Sequence, residues 1–321
     1  MDMSMDMSMD TSMDTSRGSA IVVGVTGRGQ ETAALRFAAE CARREGAEVV
    51  LAHAFHAARP APPVSPLLAY PEAADLAHRL VNEVGEEFEE LTRGEVALRT
   101  VTLAGRPARI LVHLSRGARM VVVQHRDSHD FARLFVGSTA NGTAARADCP
   151  VVSVPMAWQP GEVPGEVVVG VHEGGGPRQV LEAGFAWADA TGAPLRIVHA
   201  WRLDAAYDDL VTAAEAAHWR DEQKAALASA VAGLRERHPT VQVILEVRHQ
   251  WPSDVLVDDS QVASLVVVGR HGSHGWAPEH LGSVTRTVLR AAKSPVMVVP
   301  LDRRDTSEDW GLVADEVSPQ T

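Results

Sequence analysis

Cysteine is scarce in this sequence. Only Cys41 and Cys149 occur, far apart and with no ligand-type spacing between them. That fits a reducing cytosol, with both side chains buried and inert. Basic charge is also short: 30 Lys and Arg stand against 42 Asp and Glu, a formal net charge of −12. A general nucleic-acid binder needs a basic face to displace counterions, so that class is set aside. No apolar run in the chain approaches the roughly 20 residues of a membrane span. A Walker loop with Gly-Lys-Ser/Thr is missing, as is the G-x-G-x-x-G dinucleotide fingerprint. The opening MDMSMDMSMDTSMDTS has neither a basic n-region nor an apolar h-region, so it is not expected to act as a secretory signal. It also lacks the apolar β-branched residues of a core, so residues 1–18 are expected to form a disordered tail.

What is present suffices for about two domains of roughly 150 residues each. The chain has 321 residues, 45% of them hydrophobic. Short apolar runs alternate with amphipathic segments. In the first half, strands are expected at Ala20–Val25, Glu48–Phe55, Val96–Leu103, Met120–Val123 and Pro150–Pro155. Helices are expected at Thr32–Glu45, Pro71–Arg93 and Pro107–Arg116. The second half repeats the order. It has strands at Glu166–Val171, Leu195–Trp201, Val241–Val247, Leu265–Val268 and Pro295–Pro300, and helices at Arg178–Thr191, Ala205–His238, Ser253–Asp259 and Val284–Lys293. Such alternation predicts an α/β fold: parallel open sheets with helices on both faces.

The repeat is visible in residues as well as in pattern. Val121-Val122-Val123 recurs as Val266-Val267-Val268, Gly137-Ser138 as Gly282-Ser283, and Pro150-Val151 as Pro295-Val296. Gly24-Val25 recurs as Gly170-Val171, and His53-Ala54 as His199-Ala200. The chain thus divides into a tail (1–18), a first domain (19–157), a linker (158–165), a second domain (166–301) and a C-terminal tail (302–321). The recurring His53 and His199 suggest a shared structural hydrogen bond. The matched closing strands are edge-type and invite pairing.

Chemistry concentrates in one stretch. After Leu265–Val268 come Gly269, two residues, Gly272, nine residues, Gly282-Ser283, and then a helix. Glycines at a strand end let a ligand approach the backbone, and a helix start offers free N–H groups to an anion. Gly269 and Gly272 would let ribose and phosphates lie on the backbone. Gly282 would permit a tight turn. Ser283 would give hydroxyl and amide to phosphate, and Val284 a further amide. Arg270 would either neutralise phosphate or lie solvated in the loop. His271, His274 and His280 form no i, i+4 pair and have no cysteine partners, which argues against a metal site. The tryptophans are read as packing residues, with Trp276 in the loop as the exception, and Glu86 to Glu90 as a solvated helix face.

This stretch closely resembles the C-terminal part of the universal stress protein family, whose nucleotide-binding members carry G-x2-G-x9-G-(S/T) before a helix and a closing strand. Gly269, Gly272, Gly282 and Ser283 match that motif, and the resemblance covers nearly everything between the two tails. It implies two tandem five-stranded, mainly parallel, Rossmann-like domains of the adenine nucleotide alpha hydrolase-like type. It also implies an ATP-binding stress sensor or regulator, with or without Mg2+, that is cytoplasmic and not an enzyme. Slow ATP hydrolysis or self-phosphorylation at Ser283 or Thr285 is left open. A homodimer of tandem chains is expected, since closing strands of the family commonly make dimer contacts.

Two departures bear on binding. The first half has Gln124 and Asp127 where the second has Gly269 and Gly272. A carboxylate there would oppose a triphosphate by on the order of a few kcal/mol. The first half is therefore expected to bind no ATP in the family manner. In the second half, Val171-His172 ends the first strand where nucleotide-binding members usually carry an aspartate on the adenine side. An imidazole can still hydrogen-bond or stack on a base. The alternative reading is a scaffold of the same fold that docks partners without nucleotide.

Overall fold

A computed structural model describes residues 20–55, 70–125, 138–161, 165–172, 176–203, 208, 211–270 and 281–301. The first half runs β1 (Ala20–Val25), α1 (Thr32–Glu45), β2 (Val49–Phe55), α2 (Tyr70–Thr92), β3 (Leu98–Ala104), α3 (Pro107–Ser115), β4 (Ala118–His125), α4 (Ser138–Ala144) and β5 (Val151–Pro155). The second runs β6 (Val167–Val171), α5 (Arg178–Thr191), β7 (Leu195–Trp201), α6 (Ala213–Arg237), β8 (Val243–His249), α7 (Pro252–Asp259), β9 (Leu265–Gly269), α8 (Ser283–Ala291) and β10 (Val296–Val299).

The ten strands form one sheet, in the order β3-β2-β1-β4-β5-β10-β9-β6-β7-β8. Within each half every pair is parallel. At the centre β5 and β10 run antiparallel, with Met297 opposite Val152. The two open sheets expected from the sequence are thus joined through their closing strands. The pairing removes two exposed edges, and Val151, Val152, Val154, Val296 and Val298 lie buried in the cores on the two faces of the sheet. Each such side chain contributes roughly 1.5–3 kcal/mol relative to exposure.

The apolar runs of β1, β4, β6 and β9 follow from this position, since strands between two helix layers are buried on both faces. One core joins the sheet to α1, α2, α5 and α6. The other joins it to α3, α4, α7 and α8. Both cores draw residues from both halves. Across the seam Phe37 of α1 stacks on Trp187 of α5, centroids 5.6 Å apart and planes 6° apart.

Several boundaries differ from the sequence reading for local reasons. The long helix expected from Ala205 starts at Ala213, where Thr212 and Glu215 form a reciprocal capping box. The outer strands β3 and β8 begin two residues later than expected. Their register is set by their inner neighbours, with Leu98 opposite Val49 and Val243 opposite Leu195. Helix α4 was not expected at all. Its sequence, STANGTA, is made mostly of poor helix formers, and its place is fixed by the duplication that also gives α8.

Candidate nucleotide site

In an open α/β sheet the ligand crevice opens at the carboxyl ends of the strands, where neighbouring strands lead to helices on opposite faces. In the second half that point lies between β6 and β9, which are hydrogen-bonded neighbours. From β6 the chain passes to α5 on one face, and from β9 to α8 on the other. The crevice is therefore bordered by Val171-His172 and by Gly269-Arg270. Gly269-Arg270 was singled out by the glycine motif and Val171-His172 by the family resemblance, and the topology brings the two strand ends side by side.

Each border is held by short bonds. Nδ1 of His199 lies 3.2 Å from the carbonyl oxygen of Val171, and Nδ1 of His53 lies 3.0 Å from that of Val25. The recurring histidines thus make the shared structural bond expected of them. Gly176 has φ +71 and lies so close to β6 that a Cβ would come within 3.1 Å of Val171 Cβ. A left-handed glycine is needed there for the turn to fold back.

On the other border, the Arg270 N–H donates to Val299 O at 3.0 Å and the Gly282 N–H donates to Arg270 O at 3.1 Å. The Thr285 hydroxyl donates to Gly269 O at 2.8 Å and is buried, so of the two hydroxyls considered for phosphorylation only Ser283 is exposed. The first bond of α8 runs from Arg286 N–H to Gly282 O, which leaves the amides of Ser283, Val284 and Thr285 ahead of the helical ladder. Val284 is half-buried against the core. Gly282 itself has φ −57 and ψ 154, a conformation open to any residue. The tight turn expected of it is therefore not what calls for glycine. Gly272, with His271, His274, Trp276 and His280, lies outside the described residues.

Arg270 is committed elsewhere than to a phosphate. Its guanidinium crosses to the first half and donates to Ala147 O. Burial lowers its pKa, while nearby Asp148 pulls the other way. A matching contact runs in reverse: Nε2 of His125, the counterpart of Arg270, lies 3.1 Å from Arg290 O of the second half. The two residues at these equivalent positions thus also tie the halves together.

The equivalent crevice of the first half is bridged by the chain's own side chains among the described residues. The buried Glu31 carboxylate accepts from Thr26 N–H at 3.0 Å, from the Thr26 hydroxyl at 2.5 Å and from Gly27 N–H at 3.5 Å. Glu87 accepts from Gly29 N–H at 2.7 Å and from the Thr32 hydroxyl at 2.9 Å. The Gln124 side-chain oxygen accepts from Ala33 N–H at 3.0 Å and Ala34 N–H at 3.3 Å, at the start of α1. Its amide donates to Gln30 O at 2.6 Å. Glu86 and Glu90 hold Arg28 over the same loop. The acidic stretch of α2 is therefore a clamp on the β1–α1 turn, and not only a solvated face as its spacing suggested. Its partners lie 55 to 62 residues away, so no local pattern marks it. The second half has Pro177 in place of Glu31 and Gly269 in place of Gln124, and among the described residues Pro177 gives α5 no side-chain cap. Asp127 lies outside the described residues.

Comparison with known proteins shows the family and the fold. The profile of the Universal stress protein family matches residues 19–155 and again residues 165–300. A universal stress protein of Mycobacterium tuberculosis is 33% identical over 236 residues, covering 70% of this chain and 74% of the relative. One from Mycolicibacterium smegmatis is 30% identical over 297 residues, covering 87% and 96%. Among solved structures, a universal stress protein from Archaeoglobus fulgidus superposes with a TM-score of 0.65 at 15% identity, covering 90% of this chain and 98% of that one. A functionally unknown protein from Pseudomonas aeruginosa gives 0.56 at 16% identity, covering 88% and 93%. The chain belongs to the universal stress protein family and carries two of its domains in tandem.

Proposed function

We propose that the second half binds an adenine nucleotide, ATP alone or as its Mg2+ complex, and that the protein acts in the cytoplasm as a nucleotide-responsive regulator and not as a catalyst. The observation that carries this reading is the asymmetry between the crevices. In the first half the turn amides and the α1 start are satisfied by Glu31, Glu87 and Gln124. In the second, the same places hold Pro177 and Gly269, and the α8 amides lie ahead of the ladder. Free amides at a helix start beside a strand-end glycine suit a polyphosphate. Phosphates would rest on Ser283 and Val284, ribose on Gly269 and Gly272, and the base near Val171 and His172. Because Arg270 faces Ala147, phosphate charge would be met mainly by amides.

The closing strands are consumed within the chain, so a homodimer of chains would use other surfaces, such as the outer edges at β3 and β8. Light scattering of the full chain reads that assembly. The nucleotide reading is tested by titrating the full chain with ATP beside a Gly282→Asp variant. Saturable binding that is lost in the variant supports it. Absence of binding at millimolar ATP removes it and favours a docking scaffold of the same fold.

A further inference from the structure

A second cleft lies between the two halves, with a volume of about 490 Å3. Gly165, Ala193 and Ser264 border it just before β6, β7 and β9, so it opens at the opposite end of the second-half strands from the crevice described above. Small-molecule sites are typically about 300–1,000 Å3 and favour domain interfaces.

Its walls have a definite chemistry. Phe37 and Trp187 form the stacked pair across the seam, and Trp158 of the connecting segment meets Phe37 edge-on at 5.5 Å. The Arg44 guanidinium lies 4.5 Å from the Trp187 ring centroid. Its Nη2 lies 3.5 Å from Glu45 Oε1, and a guanidinium over a ring has further N–H groups that suit a planar anion. Lys293 and Ser294, in the turn before β10, supply another wall. Ser294 is 3% exposed, and its hydroxyl oxygen has no hydrogen-bond partner among the described residues. Glu40 is the acidic residue in the lining, against Arg44 and Lys293. This pattern is not dictated by the duplication: the counterparts of Trp187 and Ser294 in the first half are Cys41 and Cys149.

We propose that this cleft binds a planar aromatic acid, with its ring against Trp158 and the Phe37–Trp187 wall and its carboxylate between Arg44 and Lys293. The Ser294 hydroxyl supplies a further donor. Both halves and the connecting segment contribute to the walls, so an occupant binds the joined form and raises its stability by mass action.

The test is equilibrium dialysis of the full-length chain with 2-naphthoate, beside the uncharged 2-naphthalenemethanol. The expected result is saturable binding of the acid with a dissociation constant below about 1 mM, and at least roughly tenfold weaker binding of the alcohol. Lys293→Glu, at an exposed position, and Trp158→Leu each weaken the acid about tenfold or more, with melting curves showing that both variants remain folded. Gly282→Asp leaves naphthoate binding unchanged, so this site and the nucleotide site fail separately. No binding of the acid at about 5 mM, equal affinity in both cleft variants, or equal affinity for acid and alcohol would overturn the proposal.

Discussion

The side-chain oxygen of Gln124 sits 3.0 Å from the backbone nitrogen of Ala33, at the start of α1. Gln124 is the penultimate residue of β4, at the position that Gly269 holds at the end of β9. One substitution thus converts a possible ligand contact into an internal cap. Replacing Gln124 by glycine removes that cap at a cost of about 1–2 kcal/mol. At roughly 2–4 °C per kcal/mol for a chain of this size class, calorimetry should show a fall of a few degrees. The ATP stoichiometry should not rise, because Glu31 and Glu87 still hold the turn.

The converse change belongs in the second half. Gly269→Gln places an amide side chain over the α5 start and the crevice, as Gln124 does in the first half. The fold should survive, since the first half shows the same residue accommodated in the same framework. ATP affinity should fall tenfold or more, about 1.4 kcal/mol, by calorimetric titration. Unchanged affinity would mean that the ligand does not cross the end of β9.

The layered fold and the second-half motif were legible because both are local. Runs such as Val266-Val267-Val268 announce a doubly buried strand, and the glycine spacing stands on a recognisable strand and helix. The contents of the first crevice were not legible. Glu31, just before α1, and Glu87, on α2, are ordinary acidic residues until the fold brings Thr26, Gly29 and Thr32 to them. Arg270 misled for a similar reason: its place beside Gly269 suggests phosphate, but its partner, Ala147, belongs to the other half. Helix α4 was hidden by its poor helix formers, although the duplication pointed to it through Gly137-Ser138 and Gly282-Ser283.

The second half also carries a ladder of half-buried charges. Arg196 contacts Glu166 at 2.6 Å and Glu246 at 2.9 Å, and Arg248 contacts Glu246 at 2.7 Å and Asp259 at 2.8 Å. The counterparts of Arg196, Glu246, Arg248 and Asp259 in the first half are Val50, Val101, Leu103 and Leu114. Hydrogen bonding from Arg248 lowers the Glu246 pKa, against the opposing effect of burial and with help from Arg196. A carboxylate depressed in the folded state adds stability above its unfolded pKa, about 4.3, and loses it as pH falls through the folded value. Arg248→Met should therefore cost about 1.5–3 kcal/mol near pH 7. The difference from wild type should shrink below about pH 4. Denaturant melts across pH would show it, and a constant difference would contradict it.

The cysteines make a simpler prediction. Burial raises both thiols, Cys41 and Cys149, to about 12. The thiolate is the reactive species, so neither residue should be alkylated by iodoacetamide in the native chain at mildly alkaline pH. Both should react once denaturant exposes them, and mass spectrometry counts the adducts. Rapid labelling of the native protein would place one of them at an accessible surface instead.

The most direct test of the account is a count of nucleotide per chain. One sample of the freshly purified protein is denatured and the released small molecules are separated chromatographically, and a second, native sample is saturated with ATP by equilibrium dialysis, beside Gly282→Asp. The account predicts about one adenine nucleotide per chain at saturation, all of it lost in the variant. Two per chain would show that Glu31, Glu87 and Gln124 do not fill the first crevice against a ligand. None at millimolar ATP would contradict the nucleotide reading of the second.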